Sequence, residues 1–348
     1  MRKKINGAVI AICCLLPHLA ACGGTELENK YFPLAVVVGQ KGTHCQVNYL
    51  SQNLSEVANE RADGSNITAC GAAAETYYET QKTFEKNNRC QLDLSHTKAV
   101  IFQKGFLEKG SLPLFLETVR REQTYAQNTL VYLSDTSMDV LTELNGTLEI
   151  PLGSYLEQMT ENEQEIGAQA VVTLGALLKE QANSSRTLLL PVLKEVNDLP
   201  VIHAYEILQN FTHKGRISTN QAQIYYLAAN QLEQMNLSMT KEVQVRLSNL
   251  KCRREFGLEN GMAVQHLYVS ADAEPVTGTV DAGTLETELS NRILEVCRLL
   301  KEEQQADITD SYRHLALRAP ELYRIYENQS EAYRKNLEYR VQVNIRLL

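Results

Sequence analysis

The chain contains no tryptophan, and its basic residues are outnumbered by its acidic ones. Lysine and arginine together number 34 against 42 aspartates and glutamates, which gives a formal net charge of −8. Affinity for nucleic acid depends on basic side chains that neutralise phosphates, so this balance argues against a nucleic-acid partner. It also argues against broad electrostatic adhesion to anionic lipid, so attachment to a membrane would need a covalent or inserted anchor.

Motifs of catalysis and metal binding are missing as well. The sequence has no GxSxG, P-loop, HExxH, GxGxxG or EF-hand pattern, and no CxxC. His44 and Cys45 could form a metal half-site or a nucleophile pair, but neighbours in a strand point to opposite faces. His96 precedes a predicted strand, where packing or a turn hydrogen bond is the expected role. We therefore predict a protein that is not an enzyme and that has no cofactor or metal site.

Long hydrophobic runs are confined to the N-terminus, where residues 5–19 are mostly apolar. At about 15 residues this run is too short to span a bilayer, which needs roughly 20. Arg2, Lys3 and Lys4 precede it, and Leu-Ala-Ala-Cys-Gly follows it and ends at Gly23. This pattern is typical of the lipobox of bacterial lipoproteins. It predicts a signal peptide over residues 1–21, a lipid on Cys22 and a location on the extracytoplasmic face of a membrane; a plain secretory signal or an uncleaved anchor is the alternative.

Five cysteines remain after the lipid-bearing one, an odd number that leaves at least one thiol unpaired. They are Cys45, Cys70, Cys90, Cys252 and Cys297. An exported domain can hold disulfides, so pairing among them stays open. The composition favours buried free thiols, since cysteine is among the most often buried residue types.

The body of the chain alternates between strand and helix patterns, which predicts a mixed α/β and α+β fold. Expected strands cover residues 32–38, 99–102, 129–133, 187–190, 201–208, 242–247 and 263–269, and a terminal strand ends the chain. Expected helices cover residues 68–84, 111–123, 154–181 and 285–300, and a turn is expected at residues 213–216. The predicted arrangement is a tether at residues 22–31 and three consecutive domains at residues 32–150, 151–238 and 239–348.

Four stretches of the sequence match one known family in order and character. The first stretch is Cys22 with Glu26, Leu27 and the strand ending at Gly39, and the second is residues 95–102 (SHTKAVIF) with residues 106–110, Arg120 and Arg121. The third is residues 129–133 leading into residues 140–141, and the fourth is residues 305–308 with Pro320 and the terminal strand. Together they resemble the C-subunit lipoproteins of spore germination receptors, the Ger(x)C family. The family's tryptophan after the lipid cysteine is absent, and the strand ends Gly39-Gln40 without the aspartate of the family's Gly-Ile-Asp strand end, so the resemblance is to a divergent member.

This resemblance implies a function in spore germination. It implies three mixed α/β domains on the outer surface of the inner spore membrane, in a complex with integral membrane subunits of the A and B types that help to detect nutrient germinants. In that setting the lipoprotein looks like an assembly or signalling subunit. A lipid tether suits the role, because confinement to a plane raises the effective concentration of a subunit around its partners.

Two other functions remain as alternatives. An extracytoplasmic solute-binding lipoprotein of a transporter would need two lobes of alternating strands and helices around a cleft, and the antiparallel pattern after Met239 speaks against that arrangement. A cell-wall hydrolase would need a convergent nucleophile or metal set, which the sequence does not reveal.

Overall fold

The computed structural model describes residues 29–52, 67–165, 171–181, 187–303, 306 and 311–348. The predicted signal peptide, Cys22 and most of the predicted tether lie outside these residues. The helix predicted over residues 154–181 lies partly outside them.

Fourteen strands and eleven α-helices are present in the described part of the chain. The strands are β1 Lys30–Tyr31, β2 Ala35–Lys41, β3 His44–Gln52, β4 Ile67–Ala74, β5 Gln91–Leu92, β6 Ala99–Gln103, β7 Leu130–Ser134, β8 Thr187–Val196, β9 Leu199–Gln209, β10 Thr212–Ser218, β11 Met235–Ser238, β12 Gln244–Glu259, β13 Met262–Thr277 and β14 Leu337–Leu347. The helices are α1 Tyr77–Asn87, α2 Lys104–Glu108, α3 Leu112–Glu122, α4 Met138–Thr147, α5 Leu152–Glu165, α6 Leu174–Gln181, α7 Thr219–Ala228, α8 Ala282–Arg298, α9 Ser311–Arg318, α10 Pro320–Tyr326 and α11 Ser330–Asn336, and a π-helical turn covers Leu299–Glu303.

An eight-stranded sheet organises the first two thirds of the chain. Its strand order is β10-β9-β8-β7-β6-β2-β3-β4. The neighbours β2, β6, β7 and β8 run parallel, and antiparallel strands extend the sheet at both ends. The central strands β2, β6 and β7 are the apolar runs predicted over residues 32–38, 99–102 and 129–133, and they are buried on both faces as strands of parallel sheets usually are.

Helices cover both faces of this sheet. On one face α1, α3 and α6 pack over side chains such as Val36 and Val38. On the other face α4 and α5 pack over Ala35 and Val37. Alternate residues of β2 therefore enter different cores, which follows from the two-residue side-chain period of a strand.

A four-stranded sheet of order β11-β12-β13-β14 forms the C-terminal part. The long strands β12 and β13 pair antiparallel, as predicted, and the terminal strand β14 pairs parallel to β13. Helix α8 and the π-helical turn after it cover one face with residues spaced three and four apart: Leu285, Leu289, Ile293, Val296 and Leu300 are all buried.

The predicted mixed fold class is confirmed by these two sheets and their helices. The eight-stranded sheet continues across the predicted boundary at residue 150, since Leu133 of β7 pairs with Val192 of β8. One apolar core likewise joins Tyr205 of β9 and α7 to the C-terminal sheet. The division into three consecutive domains therefore stays a prediction.

The prediction of a helix over residues 68–84 is wrong in its first half. The segment Ile67–Ala74 is strand β4, which pairs with β3 along its whole length. Its alanines favour a helix in isolation, but pairing at the sheet edge overrides that weak preference. The helix begins at Tyr77, where Thr76 and Glu79 form a capping box.

The single helix predicted over residues 154–181 is two helices, α5 and α6. Between them Thr173 bridges to Leu130 of β7, and the Val172 carbonyl accepts a hydrogen bond of 3.0 Å from the Val131 N–H. Strand β8 pairs with β7 only farther along. The interruption thus satisfies a buried backbone donor of β7 that would otherwise lack a partner.

Gly153 fixes the close approach of α5 to the sheet. A Cβ atom at this position would lie 2.0 Å from the Leu34 carbonyl oxygen. Only glycine therefore lets the first turn of α5 rest against the backbone that enters β2.

Candidate functional site

The carboxyl ends of β2 and β6 form a topological switch point. These two strands are parallel neighbours, but the chain leaves β2 for β3 on one side and leaves β6 for β7 on the other. In open α/β sheets, ligands bind in the crevice outside the carboxyl ends of the strands at such a point. This edge of the sheet is therefore the place where the fold predicts a binding site.

A cavity of about 460 Å³ lies at this edge, and we name it the carboxyl-edge crevice. Ligand pockets usually measure about 300–1,000 Å³, so the volume suits a small molecule. Its lining comes from the ends of β2, β3 and β4 and from α1, α2 and α3: Gln40, Cys45, Glu75, Thr76, Tyr77, Tyr78, Phe106, Ser111, Leu114, Phe115, Glu117, Thr118, Arg121 and Glu122.

Aromatic rings form the inner wall of the crevice. The ring of Phe115 lies 4.5 Å from that of Tyr77 and 6.5 Å from that of Phe106, between centroids. The Tyr77 and Tyr125 hydroxyls hydrogen-bond to each other in the buried interior. Burial is the largest cause that raises the pKa of both tyrosines well above the usual value, so both keep their protons. The wall is therefore apolar, neutral and held by packing.

Cys45 contributes a thiol to the lining, but not a reactive one. Burial raises its pKa to about 12, so the nucleophilic thiolate is scarce at neutral pH. His44 is exposed while Cys45 is buried, which confirms that these neighbours in β3 diverge. Their adjacency in the sequence therefore makes neither a nucleophile pair nor a metal half-site.

The mouth of the crevice has more acidic than basic side chains. Glu75, Glu117 and Glu122 face a single guanidinium, that of Arg121, whose Nη2 lies 3.0 Å from Glu117 Oε1. Leu114 is 67% exposed at the same mouth. The crevice thus combines an apolar interior with an excess of negative charge at its opening.

A second polar feature, which we name the Arg216 network, links β7, β9 and β10. Arg216 donates from Nη1 and Nη2 to Asp135 at 2.5 and 2.9 Å, and from Nε to Glu206 Oε2 at 2.8 Å. His213 contacts the second oxygen of Glu206, and His203 Nε2 lies 3.0 Å from Asp135 Oδ2. Arg216 is the largest cause that lowers the pKa of Asp135. The network ties the edge strand β10 to the carboxyl end of the central strand β7.

Sequence reasoning did not find the Arg216 network. It predicted a turn at residues 213–216, whereas His213 and Arg216 lie in strand β10 with an irregularity between His213 and Gly215. Asp135 and Arg216 are 81 positions apart, and no local pattern links them. A β-bulge in the pairing of β8 with β9 also makes His203 an extra residue of β9. Such a bulge changes the direction of the side chains around it.

The residues that carried the family resemblance near β6 have packing roles. The His96 ring meets the Phe32 ring edge-on at 5.6 Å, although the histidine itself is exposed. Thr97 donates to the Pro33 carbonyl, and Lys98 Nζ lies 2.9 Å from Glu157 Oε1 on α5. These contacts hold the start of β6 against β2 and α5.

None of the five cysteines of the body forms a disulfide in the described part of the chain. Cys45, Cys252 and Cys297 are buried, as predicted, and Cys70 and Cys90 are half-buried. Within the described ranges, no group of three or more histidine, cysteine, aspartate or glutamate side chains could hold a metal ion. Among the described helices, none is both long and apolar enough to cross a membrane.

Comparison with known proteins places the chain among spore germination proteins. Residues 23–195 match the model of the family described as "Spore germination protein N-terminal domain". The chain is also similar to spore germination protein GerQC of Bacillus cereus, with 18% identity over 216 residues that span 60% of each protein.

The fold is shared with a solved relative. The crystal structure of the GerBC protein has a TM-score of 0.60 to this chain at 12% identity, over 92% of this chain and 99% of that one. The match of the N-terminal part and the shared fold agree with the motifs at residues 95–102 and 129–133. The chain belongs to the Ger(x)C family of spore germination proteins, as a divergent member.

Proposed function

We propose that this protein is a lipid-anchored subunit of a spore nutrient germinant receptor. The observation that carries the proposal is the match of residues 23–195 to the N-terminal domain of spore germination proteins. The match starts at the residue after Cys22, which is consistent with a body that begins at the lipid-bearing cysteine.

The anchor is the lipid on Cys22, followed by the tether over residues 22–31. Two acyl chains hold a protein firmly on a bilayer, since each buried CH₂ contributes about 0.8 kcal/mol. The body then lies on the extracytoplasmic face, which is the outer face of the inner spore membrane. Confinement to this plane keeps the subunit close to integral membrane partners.

The role of the subunit is assembly or signalling with integral membrane subunits of the A and B types. A binding role is supported by the carboxyl-edge crevice, where the lining groups Cys45 and Tyr77 keep their protons. The alternative of a transporter's solute-binding lipoprotein has weaker support. It calls for two α/β lobes around a cleft, whereas the described body has an eight-stranded sheet, a four-stranded, largely antiparallel sheet and the short parallel pair of β1 and β5.

The test is co-purification from detergent-solubilised spore membranes. A tagged chain should retain A- and B-type subunits, and its deletion should slow germination in response to nutrients. Cys22→Ser should release the protein from the membrane fraction and reduce germination, whereas Cys90→Ser, at a half-buried free thiol, should do neither. Recovery of a transporter permease in place of receptor subunits would contradict the proposal.

A further inference from the structure

We infer that the carboxyl-edge crevice is a binding site for a small organic cation, namely an ammonium group carried on an apolar body. This inference needs neither the lipid anchor nor the receptor partners, so its failure would leave the proposed function standing. It rests on the position of the crevice, its volume, its walls and the charge at its mouth.

The volume and walls select an apolar body. A dry cavity of about 150 Å³ suffices for benzene, so about 460 Å³ admits a ring with a short side chain. Phe106, Phe115 and Tyr77 present ring surfaces to this space, and Leu114 extends the apolar surface to the mouth. The gain from exchanging contact with water for contact with a hydrocarbon comes mainly from Leu114 and Tyr78, which are 67% and 42% exposed, because the three rings are already almost fully buried.

The mouth selects positive charge. Arg121 is bound to Glu117, and Glu75 and Glu122 form no ion pair with any other described residue. Two carboxylates thus remain at the mouth without a matching cation in direct contact. An ammonium group there gains attraction, and a carboxylate of the same size meets repulsion.

Lys82 illustrates how a cation lies at this rim. Lys82 Nζ lies 5.8 Å from the centre of the Tyr78 ring, within the range of cation–π attraction, and 3.2 Å from Glu85. Hydrogen bonding to Glu85 is the largest cause that raises the pKa of Lys82, and attraction to Tyr78 and Glu122 of the crevice adds a smaller part, so this ammonium is held mainly by Glu85. The interior groups Cys45 and Tyr77 are neutral. The preference for a positively charged ligand therefore comes from the glutamates at the mouth.

The test compares three probes that share one apolar body: 2-phenylethylammonium, 2-phenylethanol and phenylacetate. Binding to the full-length chain, purified in a mild non-ionic detergent at pH 7 and low salt, is measured by isothermal titration against detergent alone. The ammonium should bind about tenfold more tightly than phenylacetate, with the alcohol between them, because exposed charge pairs each contribute up to about fivefold. Equal affinities for the three probes, or no binding at millimolar concentration, would overturn the inference.

Variants locate the site and the source of selectivity. The double variant Glu75→Gln/Glu122→Gln should weaken ammonium binding about fivefold and leave binding of the alcohol unchanged. Thr118→Trp should block all three probes by filling the crevice. Glu161→Gln, an exposed acid on α5 across the sheet, is the matched control and should change nothing. If the double variant and this control bind the ammonium alike while thermal melting shows both folded, the crevice is not the site.

Discussion

Arg216 Nε donates a 2.8 Å hydrogen bond to Glu206 Oε2, and only 2% of the Glu206 side chain is exposed. The same guanidinium binds both oxygens of Asp135, which follows the central strand β7. Burial of a charged carboxylate costs free energy of folding unless the carboxylate is paired, and Arg216 offsets this cost for Glu206. The ion pair thereby fixes the edge strand β10 onto the sheet.

Arg216→Met should destabilise the protein strongly. It leaves Glu206 buried with His213 but without its arginine partner, and removal of one partner of such a pair costs about 3 kcal/mol. Urea unfolding followed by circular dichroism measures the change. Arg121→Met, at an exposed pair with Glu117, is the control and should cost less than about 1 kcal/mol.

The double variant Arg216→Met/Glu206→Gln separates pairing from packing. Because it removes the buried charge together with its partner, it should be more stable than Arg216→Met alone. Equal or lower stability of the double variant would mean that the Arg216 side chain acts through packing.

Gly153→Ala should be poorly tolerated. The added Cβ would lie 2.0 Å from the Leu34 carbonyl oxygen, so backbone must move, at a cost of about 3 kcal/mol. Gly146→Ala on α4 is the matched control, since nothing lies within 4 Å of a Cβ there, and it should stabilise the helix by about 0.5–1 kcal/mol. Similar melting temperatures for the two variants would contradict the close approach of α5 to β2.

Acid should weaken the contact between Lys30 and Asp93. The hydrogen bond from Lys30 is the largest cause that lowers the pKa of Asp93 to about 2, below its usual value. A lowered pKa adds stability at pH values above about 4 that is lost as the pH falls toward about 2. Asp93→Asn should therefore lose less stability than the wild type between pH 4 and pH 2 in denaturant titrations, whereas Asp198→Asn, at the exposed β8–β9 turn, should follow the wild type.

Cysteine labelling should divide the thiols into two classes. Cys70 and Cys90 are half-buried and should react with a maleimide in the native protein. Cys45 and Cys252 are buried, and burial raises their pKa to about 12 and about 11, so they should react only after unfolding. Peptide mass mapping identifies the labelled cysteines. If Cys45 reacted in the native protein as fast as Cys90, this would contradict the burial of Cys45 in the crevice wall.

Much of the fold follows from local sequence patterns. The apolar runs around Val37, Ile101 and Tyr132 are long enough and β-branched enough to indicate buried strands, and the spacing of Leu285 and Leu289 indicates α8. Such patterns report which faces are buried. They do not indicate which strands pair, so they do not predict that the first sheet continues from β7 to β8.

The rest depends on contacts between distant parts of the chain. The alanine-rich strand β4 exists because β3 supplies its backbone partners, and Glu206 needs Arg216 from another strand. The crevice is assembled from three strand ends and three helices. In the sequence, Cys45 stands out only beside His44, and Phe106 and Arg121 only as parts of a family motif. Its aromatic wall could not be distinguished there from ordinary core residues.

The most direct test of the account is the mass of the N-terminal peptide of the protein isolated from membranes. The account predicts a mature chain that begins at Cys22 and carries a diacylglyceryl group on its sulfur. A chain that still begins at Met1, or a Cys22 with no lipid, would contradict it.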